Sequence, residues 1–226
     1  MSTAKEFVLY SYFRSSASYR VRIALELKSI DYEYRTIHLL NNGGEQHGAD
    51  YTKLNPSREV PTLIHNVAAS SAPIVLGQSV AIIDYLDRVA PVPHLFPESA
   101  HQRALVLQAC EIINSGSQPL HNLRVLKKLV DDFKISEDQK TEWTRHWIRY
   151  GFEAFEAAVK SHSGKFSFGD AVTAADCFLI PQLANADRFQ VSTAPYPTLE
   201  KIRSNCEKIP AFAKASPAQQ TDFPKT

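Results

Sequence analysis

Strand-type sequence is confined to the first third of this chain. Pro91, Pro93 and Pro97 fall within a few residues of one another, and beyond them strand signals nearly vanish while helical apolar periods continue. A chain built this way has to pair a domain mixing strands and helices with an all-helical one. In the first third, Phe7-Val8-Leu9-Tyr10 is rich in strand formers and runs into Ser15-Ser16-Ala17-Ser18, a cluster of good helix N-caps. From Tyr19 to Lys28 the residues Val21, Ala24, Leu25 and the Lys28 methylenes form one stripe, widened by Ile23, Leu27 and Ile30, as in a helix buried against a sheet. Tyr32 to Ile37 reads as a second strand, and the strand, helix, strand order favours parallel pairing through a right-handed crossover.

Leu40 to Asn55 opens on the turn signal Asn41-Asn42-Gly43-Gly44 and reads as a loop with room for one short helix. Val60 to Ile64 and Ile74 to Leu76 are short strand-like runs, separated by the small-residue insertion Ala68 to Ala72 that a hairpin loop tolerates. Gln78-Ser79 then opens an amphipathic helix carrying Ile82, Ile83, Leu86 and Val89. This order of elements is that of a thioredoxin-like domain, with the boundary expected at residues 90 and 91. Apolar periods over about 100–129 and 137–161, continued after Gly169, make residues 91–226 an all-helical domain. Thr173-Ala174-Ala175-Asp176 ahead of an apolar run has the spacing of a helix-start device.

Composition excludes several functions. Lys plus Arg number 25 against 24 Asp plus Glu, a net charge of +1, so no global field gathers a nucleic acid. Three widely spaced cysteines without a C-x-x-C pattern argue against a disulfide framework or zinc cluster and for a reducing compartment. With a polar N-terminus and no apolar run of membrane-spanning length, the expectation is a soluble cytoplasmic protein that binds neither membrane nor nucleic acid. The eight histidines show no i, i+4 pairing, and no metal site is expected.

Catalytic signatures such as G-x-S-x-G, H-E-x-x-H and the phosphate-binding glycine loops are missing. Three local features remain, each with an ordinary explanation beside a functional one. Ser15, Ser16 and Ser18 either cap a helix or place a hydroxyl at a positive helix end, where it can stabilise a thiolate. Val60-Pro61 is either a turn proline or a cis bond that presents the Val60 backbone to an extended peptide. Gln78-Ser79 is either a helix cap or a carboxylate clamp on a second helix start.

Ser15-Ser16-Ala17-Ser18-Tyr19-Arg20-Val21-Arg22-Ile23-Ala24-Leu25 resembles the S-S-C-x-W-R-V-R-I-A-L signature of zeta-class glutathione transferases, the family that includes maleylacetoacetate isomerases. The resemblance continues through Asn55-Pro56, Val60-Pro61-Thr62-Leu63, Gln78-Ser79-Val80-Ala81-Ile82-Ile83, Gln118-Pro119-Leu120-His121-Asn122-Leu123, Gly169-Asp170 and Pro181 to Phe189. It implies a glutathione-dependent enzyme, expected as a homodimer, that isomerises maleylacetoacetate to fumarylacetoacetate in tyrosine and phenylalanine degradation. Glutathione thiolate would add to the cis double bond, the resulting single bond would rotate, and elimination would return glutathione. Carried over by position, Ser15 stabilises the thiolate with Ser16 beside it. Gln46, the Val60 backbone, Gln78 and Ser79 hold the glutathione peptide. Gln118 and Asn122 border the sulfur, and Arg188 faces a small acidic substrate. Arg14, Arg20 and Arg22 add positive charge around the serine helix, or serve in helix-surface or salt-bridge roles. Two departures stand out: Ala17 where relatives have cysteine, and Tyr19 where they have tryptophan. The missing cysteine favours isomerisation over the alternative of transfer to small α-halo acids. A glutathione-binding module without catalysis is the third reading, against which the retained Ser15, Gln78 and Ser79 weigh.

Overall fold

In the computed structural model residues 5–67 and 72–224 are described, so all but the last residue of the expected insertion Ala68 to Ala72 lies outside them. Along the chain run β1 (Phe7–Ser11), α1 (Ser16–Leu27), β2 (Tyr32–Thr36), α2 (Ala49–Leu54), β3 (Thr62–His65), β4 (Ile74–Gly77) and α3 (Ser79–Val89). There follow α4 (Ala100–Asn114), α5 (Leu123–Phe133), α6 (Glu137–Val159), α7 (Ala174–Phe189), α8 (Pro197–Cys206) and α9 (Pro210–Ala215). Two compact units result: residues 1–94 together with 209–226, and residues 95–208. Residues 209–224, expected in the helical domain, thus belong to the first unit.

In the first unit the four strands order as β2-β1-β3-β4, with β1 and β2 parallel and the β1–β3 and β3–β4 pairs antiparallel. This is the thioredoxin-like arrangement. Val8, Leu9 and Leu63 of the central strands are buried, as are Ile82, Ile83 and Leu86 of α3. Helix α1 is buried along Ser18 to Leu25, on every side rather than on one stripe. Two of those residues are arginines, so the expectation of helix-surface charge fails for Arg20 and Arg22, which are 1% and 0% exposed. A guanidinium tolerates burial only where acceptors converge on it. Arg22 meets that condition by donating to Ala215 O at 2.8 Å, Ser11 Oγ at 3.1 Å and Phe13 O at 3.1 Å. Lys28 closes the far end of α1: its Nζ reaches Asp87 at 2.8 Å and the carbonyls of Ala90 and Pro93 at 2.6 and 2.8 Å.

Among its described residues the second unit has only helices as regular elements, with one isolated bridge between Ser163 and Gly169. Its core joins Val106, Cys110 and Ile113 of α4, Ile148, Phe152 and Phe155 of α6, and Phe178, Leu179 and Leu183 of α7. The apolar period over 100–129 is broken into α4 and α5, which a hydrophobic pattern alone does not reveal. At Gly116 an added Cβ would stand 2.8 Å from Ile112 O, and Pro119 has no N–H to continue the ladder. A 3-10 turn over Gln118–His121 bridges the gap. The Thr173 and Asp176 device forms as expected: Asp176, fully buried, accepts from Thr173 N at 2.7 Å and Thr173 Oγ1 at 3.1 Å, and also from Ser167 N at 2.8 Å and Ser167 Oγ at 2.7 Å.

Candidate functional site

Register decides which residues can meet. Tyr10 pairs with Thr62, and Thr62 with Gly77, while parallel β2 ends level with β1 at Ser11 and Thr36. The chain therefore leaves β1 and β2, enters β3 and leaves β4 at one end of the sheet. Ser15 and Ser16, the loop carrying Gln46, Val60, and Gln78 with Ser79 all issue from that end. The Val60–Pro61 peptide bond is cis. Val60 packs with Tyr12, Phe13 and Tyr51 in a small cluster that directly precedes Ser15.

Ser15 is the N-cap of α1. Its Oγ accepts from Ser18 N at 3.2 Å, which satisfies one helix N–H and leaves the hydroxyl proton to be donated elsewhere. Capping uses only a lone pair of this hydroxyl, so the two readings of Ser15 that the sequence offers do not exclude one another. Ser15, Ser16 and Ala17 are half-buried, and the first turn holds no acidic residue to offset the positive helix end. Arg14 is the exposed member of the arginine set.

Ser79 is the first residue of α3, behind the N-cap Gln78, which makes no side-chain capping bond, so the helix-cap reading of Gln78-Ser79 fails; the first turn of α3 is also free of acids. The hydroxyl, nearly buried, accepts from Arg20 Nη1 at 3.1 Å, again freeing its proton. Gln78 adopts φ 65° and ψ 118°, a region costly for a residue with a Cβ, and its amide donates to Glu59 Oε2 at 3.3 Å. Strain of this kind persists at ligand clamps. Beneath these residues Tyr51 and Asn55 fix the turn that delivers Val60. Tyr51 Oη donates to Glu59 O at 2.6 Å, and Asn55 Nδ2 donates to Glu59 O and to Thr62 Oγ1, both at 2.9 Å. Burial pushes the Tyr51 phenol up to about 12, so it stays a donor. Gln46, in the 3-10 turn Glu45–His47, folds its side chain inward, and its buried Oε1 has no hydrogen-bond partner among the described residues.

In the second unit Gln118 opens the 3-10 turn and Asn122 caps α5, its Oδ1 accepting from Arg124 N at 3.2 Å. A buried polar network that the sequence did not advertise holds this turn. Gln182 Nε2 reaches Ser117 Oγ at 3.2 Å and His121 Nε2 at 3.1 Å, Ser117 Oγ donates to Trp147 O at 2.7 Å, and Trp143 Nε1 donates to Leu120 O at 2.7 Å. Arg188 stands outside that network, exposed in the last turn of α7 with its guanidinium 5.0 Å from the Phe189 ring centroid. No described helix is long and apolar enough to cross a membrane.

A model for the glutathione S-transferase N-terminal domain matches residues 14–89, and one for the C-terminal domain matches residues 122–214. The maleylacetoacetate isomerase of Rattus norvegicus is 43% identical over 96% of this chain and 95% of its own. A maleylpyruvate isomerase from Ralstonia sp is 41% identical over 95% of this chain and 98% of its own. Among solved structures, a maleylacetoacetate isomerase from Anaeromyxobacter dehalogenans 2CP-1 with glutathione bound in its active site superposes with a TM-score of 0.88, at 41% identity over 98% of this chain and 99% of that one.

Proposed function

The chain belongs to the glutathione S-transferase family, in its zeta-class maleylacetoacetate isomerase branch, and from that premise we propose that it isomerises maleylacetoacetate to fumarylacetoacetate with glutathione as its cofactor. The observation that carries this reading is Ser15: a half-buried hydroxyl at an uncompensated helix start, with its lone pair committed and its proton available. The first unit's residues fit glutathione on their own chemistry. Two helix starts suit a thiolate and a carboxylate, and the buried Gln46 Oε1 lacks an acceptor's usual partner.

Bound glutathione would supply the nucleophilic sulfur for reversible addition to the cis double bond. Ser15 Oγ donates a hydrogen bond to the sulfur and lowers the thiol's pKa, aided by the α1 dipole. Ser16 adds its N–H and hydroxyl beside it. Ser79, its oxygen held by Arg20, donates to the glutamyl carboxylate, and Gln78, Gln46 and the Val60 backbone hold the peptide. We assign Gln118 and Asn122 to the sulfur side and Arg188 to a substrate carboxylate; a carboxamide pair and an exposed guanidinium suit those tasks.

Ala17 leaves no cysteine at the α1 start, which favours isomerisation over transfer to α-halo acids. Maleylpyruvate is a second candidate substrate, because it carries the same maleyl group and a relative 41% identical to this chain bears its name. We assign the protein to the cytoplasm, to aromatic amino-acid breakdown, and to a homodimer; the exposed Ile74 and Val75 on edge strand β4 are compatible with pairing. The deciding experiment is turnover of maleylacetoacetate with and without glutathione, for the native chain and Ser15→Ala. The native protein should be inactive without glutathione, and Ser15→Ala should lose roughly 100-fold or more in kcat/KM, on the scale of a lost oxyanion-type donor. Glutathione-independent turnover, or an unaffected Ser15→Ala, would remove the assignment.

A further inference from the structure

The turn that delivers Ser15 is gripped by the chain's C-terminal segment. Ser15 N donates to Tyr12 O at 3.0 Å, closing a tight turn over Tyr12–Ser15, so the orientation of that turn sets where the Ser15 hydroxyl points. Each polar group of the turn's second residue meets a charge. Phe13 N donates to Asp222 Oδ2 at 3.0 Å, and Phe13 O accepts from Arg22 Nη2 at 3.1 Å, with a longer contact of 3.4 Å from Arg22 Nη1 to Tyr12 O. The Asp222 carboxylate is itself aimed by Tyr34 Oη, which donates to Oδ1 at 2.8 Å, and the next residue's ring, Phe223, packs edge-on against Phe13 at 5.4 Å. Farther back, Phe212 O accepts from Tyr19 Oη at 3.1 Å and Ala215 O from Arg22 Nε at 2.8 Å, which fastens the segment along α1.

We propose that Asp222 is a positioning residue for the thiol-activating site: through the Phe13 amide it holds the Tyr12–Ser15 turn so that the Ser15 hydroxyl faces the glutathione sulfur. The inference rests on the assignment of Ser15 made above. A charged acceptor on a backbone N–H is roughly twice as strong as a neutral one, so the carboxylate fixes the turn in a way an ordinary loop contact does not. A reacting group misplaced by about 1 Å loses on the order of 100-fold in rate, so even a partial relaxation of the turn is measurable.

The experiment compares the native protein with Asp222→Ala, Asp222→Asn and Ser15→Ala. Three quantities are read: amide hydrogen exchange of residues 12–16 without ligand, the apparent pKa of bound glutathione from thiolate absorbance, and kcat/KM. Asp222→Ala should expose the Phe13 amide to exchange, raise the bound thiol's pKa in the same direction as Ser15→Ala, and lower kcat/KM by about 10-fold or more. Asp222→Asn keeps an acceptor without charge and should shift the same quantities less, by about 3-fold in kcat/KM. If Asp222→Ala does not fold, Asp222→Asn decides by the same readouts. A bound-thiol pKa unchanged in the folded variant, with only the melting temperature lowered, overturns the proposal and leaves Asp222 a structural residue. If Ser15→Ala also leaves the thiol pKa unchanged, the fault lies in the assignment of Ser15.

Discussion

Ala17 shows how a single side chain narrows the chemistry. It stands in the first turn of α1, where a thiol would have its pKa lowered by the helix end, and it offers only a methyl group. Cys110, Cys177 and Cys206 do not replace it, because each is 0% exposed, and burial pushes the Cys206 thiol well above its ordinary value. Iodoacetamide applied to the native protein should therefore leave isomerase turnover intact, whereas Ala17→Cys should be inactivated and protected by prior glutathione binding. Alkylation measured by mass spectrometry alongside turnover checks this, and rapid loss in the unmodified sequence would mean that a thiol reaches the site after all. Ser15 was legible in the sequence because N-cap preference is local and strong. Arg20 and Arg22 were not: in a helical pattern a charge reads as surface, and only the tertiary acceptors Ser79 Oγ, Ser11 Oγ, Phe13 O and Ala215 O turn them inward.

At the level of elements, patterns that local chemistry decides could be read, and those decided by distant partners could not. The strand, helix, strand opening, the hairpin and the start of α7 follow from propensity and capping, and they stand where expected. The turn bearing Gln118 and Asn122 interrupts an unbroken apolar period, because its support comes from Gln182, 61 residues beyond His121 in sequence. Asp176 separates a structural role from a catalytic one. Its carboxylate collects four donors at the start of α7, so Asp176→Ala strands two buried N–H groups and two hydroxyls. The expected loss is roughly 3 kcal/mol, which lowers the melting midpoint by about 6–12 °C in a chain of this size. Activity per folded molecule measured well below that midpoint should be nearly native. Abolished turnover with an unchanged midpoint would assign Asp176 to the chemistry instead.

For the whole molecule the division into two units is not a single cut in the chain. Pro91, Pro93 and Pro97, which flank the division between residues 94 and 95, carry a local signal, whereas the return of the chain after residue 208 does not, since α9 spans only six residues and its partners lie nearly two hundred positions earlier. That return has an energetic consequence. Removing it takes Ala215 O from the buried Arg22 guanidinium and Phe212 O from Tyr19 Oη, and it takes away the packed Phe212 ring, which is 2% exposed in the whole chain. Leaving a buried guanidinium N–H without its acceptor costs about 1–3 kcal/mol, and losing one large apolar side chain about 1.5–3 kcal/mol more. Together these reach the lower end of the whole stability of an ordinary domain, about 5–15 kcal/mol. A fragment of residues 1–94 should therefore melt without cooperativity. The same fragment joined through a flexible Gly/Ser linker to residues 209–226 should regain a cooperative transition by circular dichroism. Cooperative melting of residues 1–94 alone would show that the sheet and its two long helices suffice, and that the C-terminal segment serves the Ser15 turn without being needed for the fold.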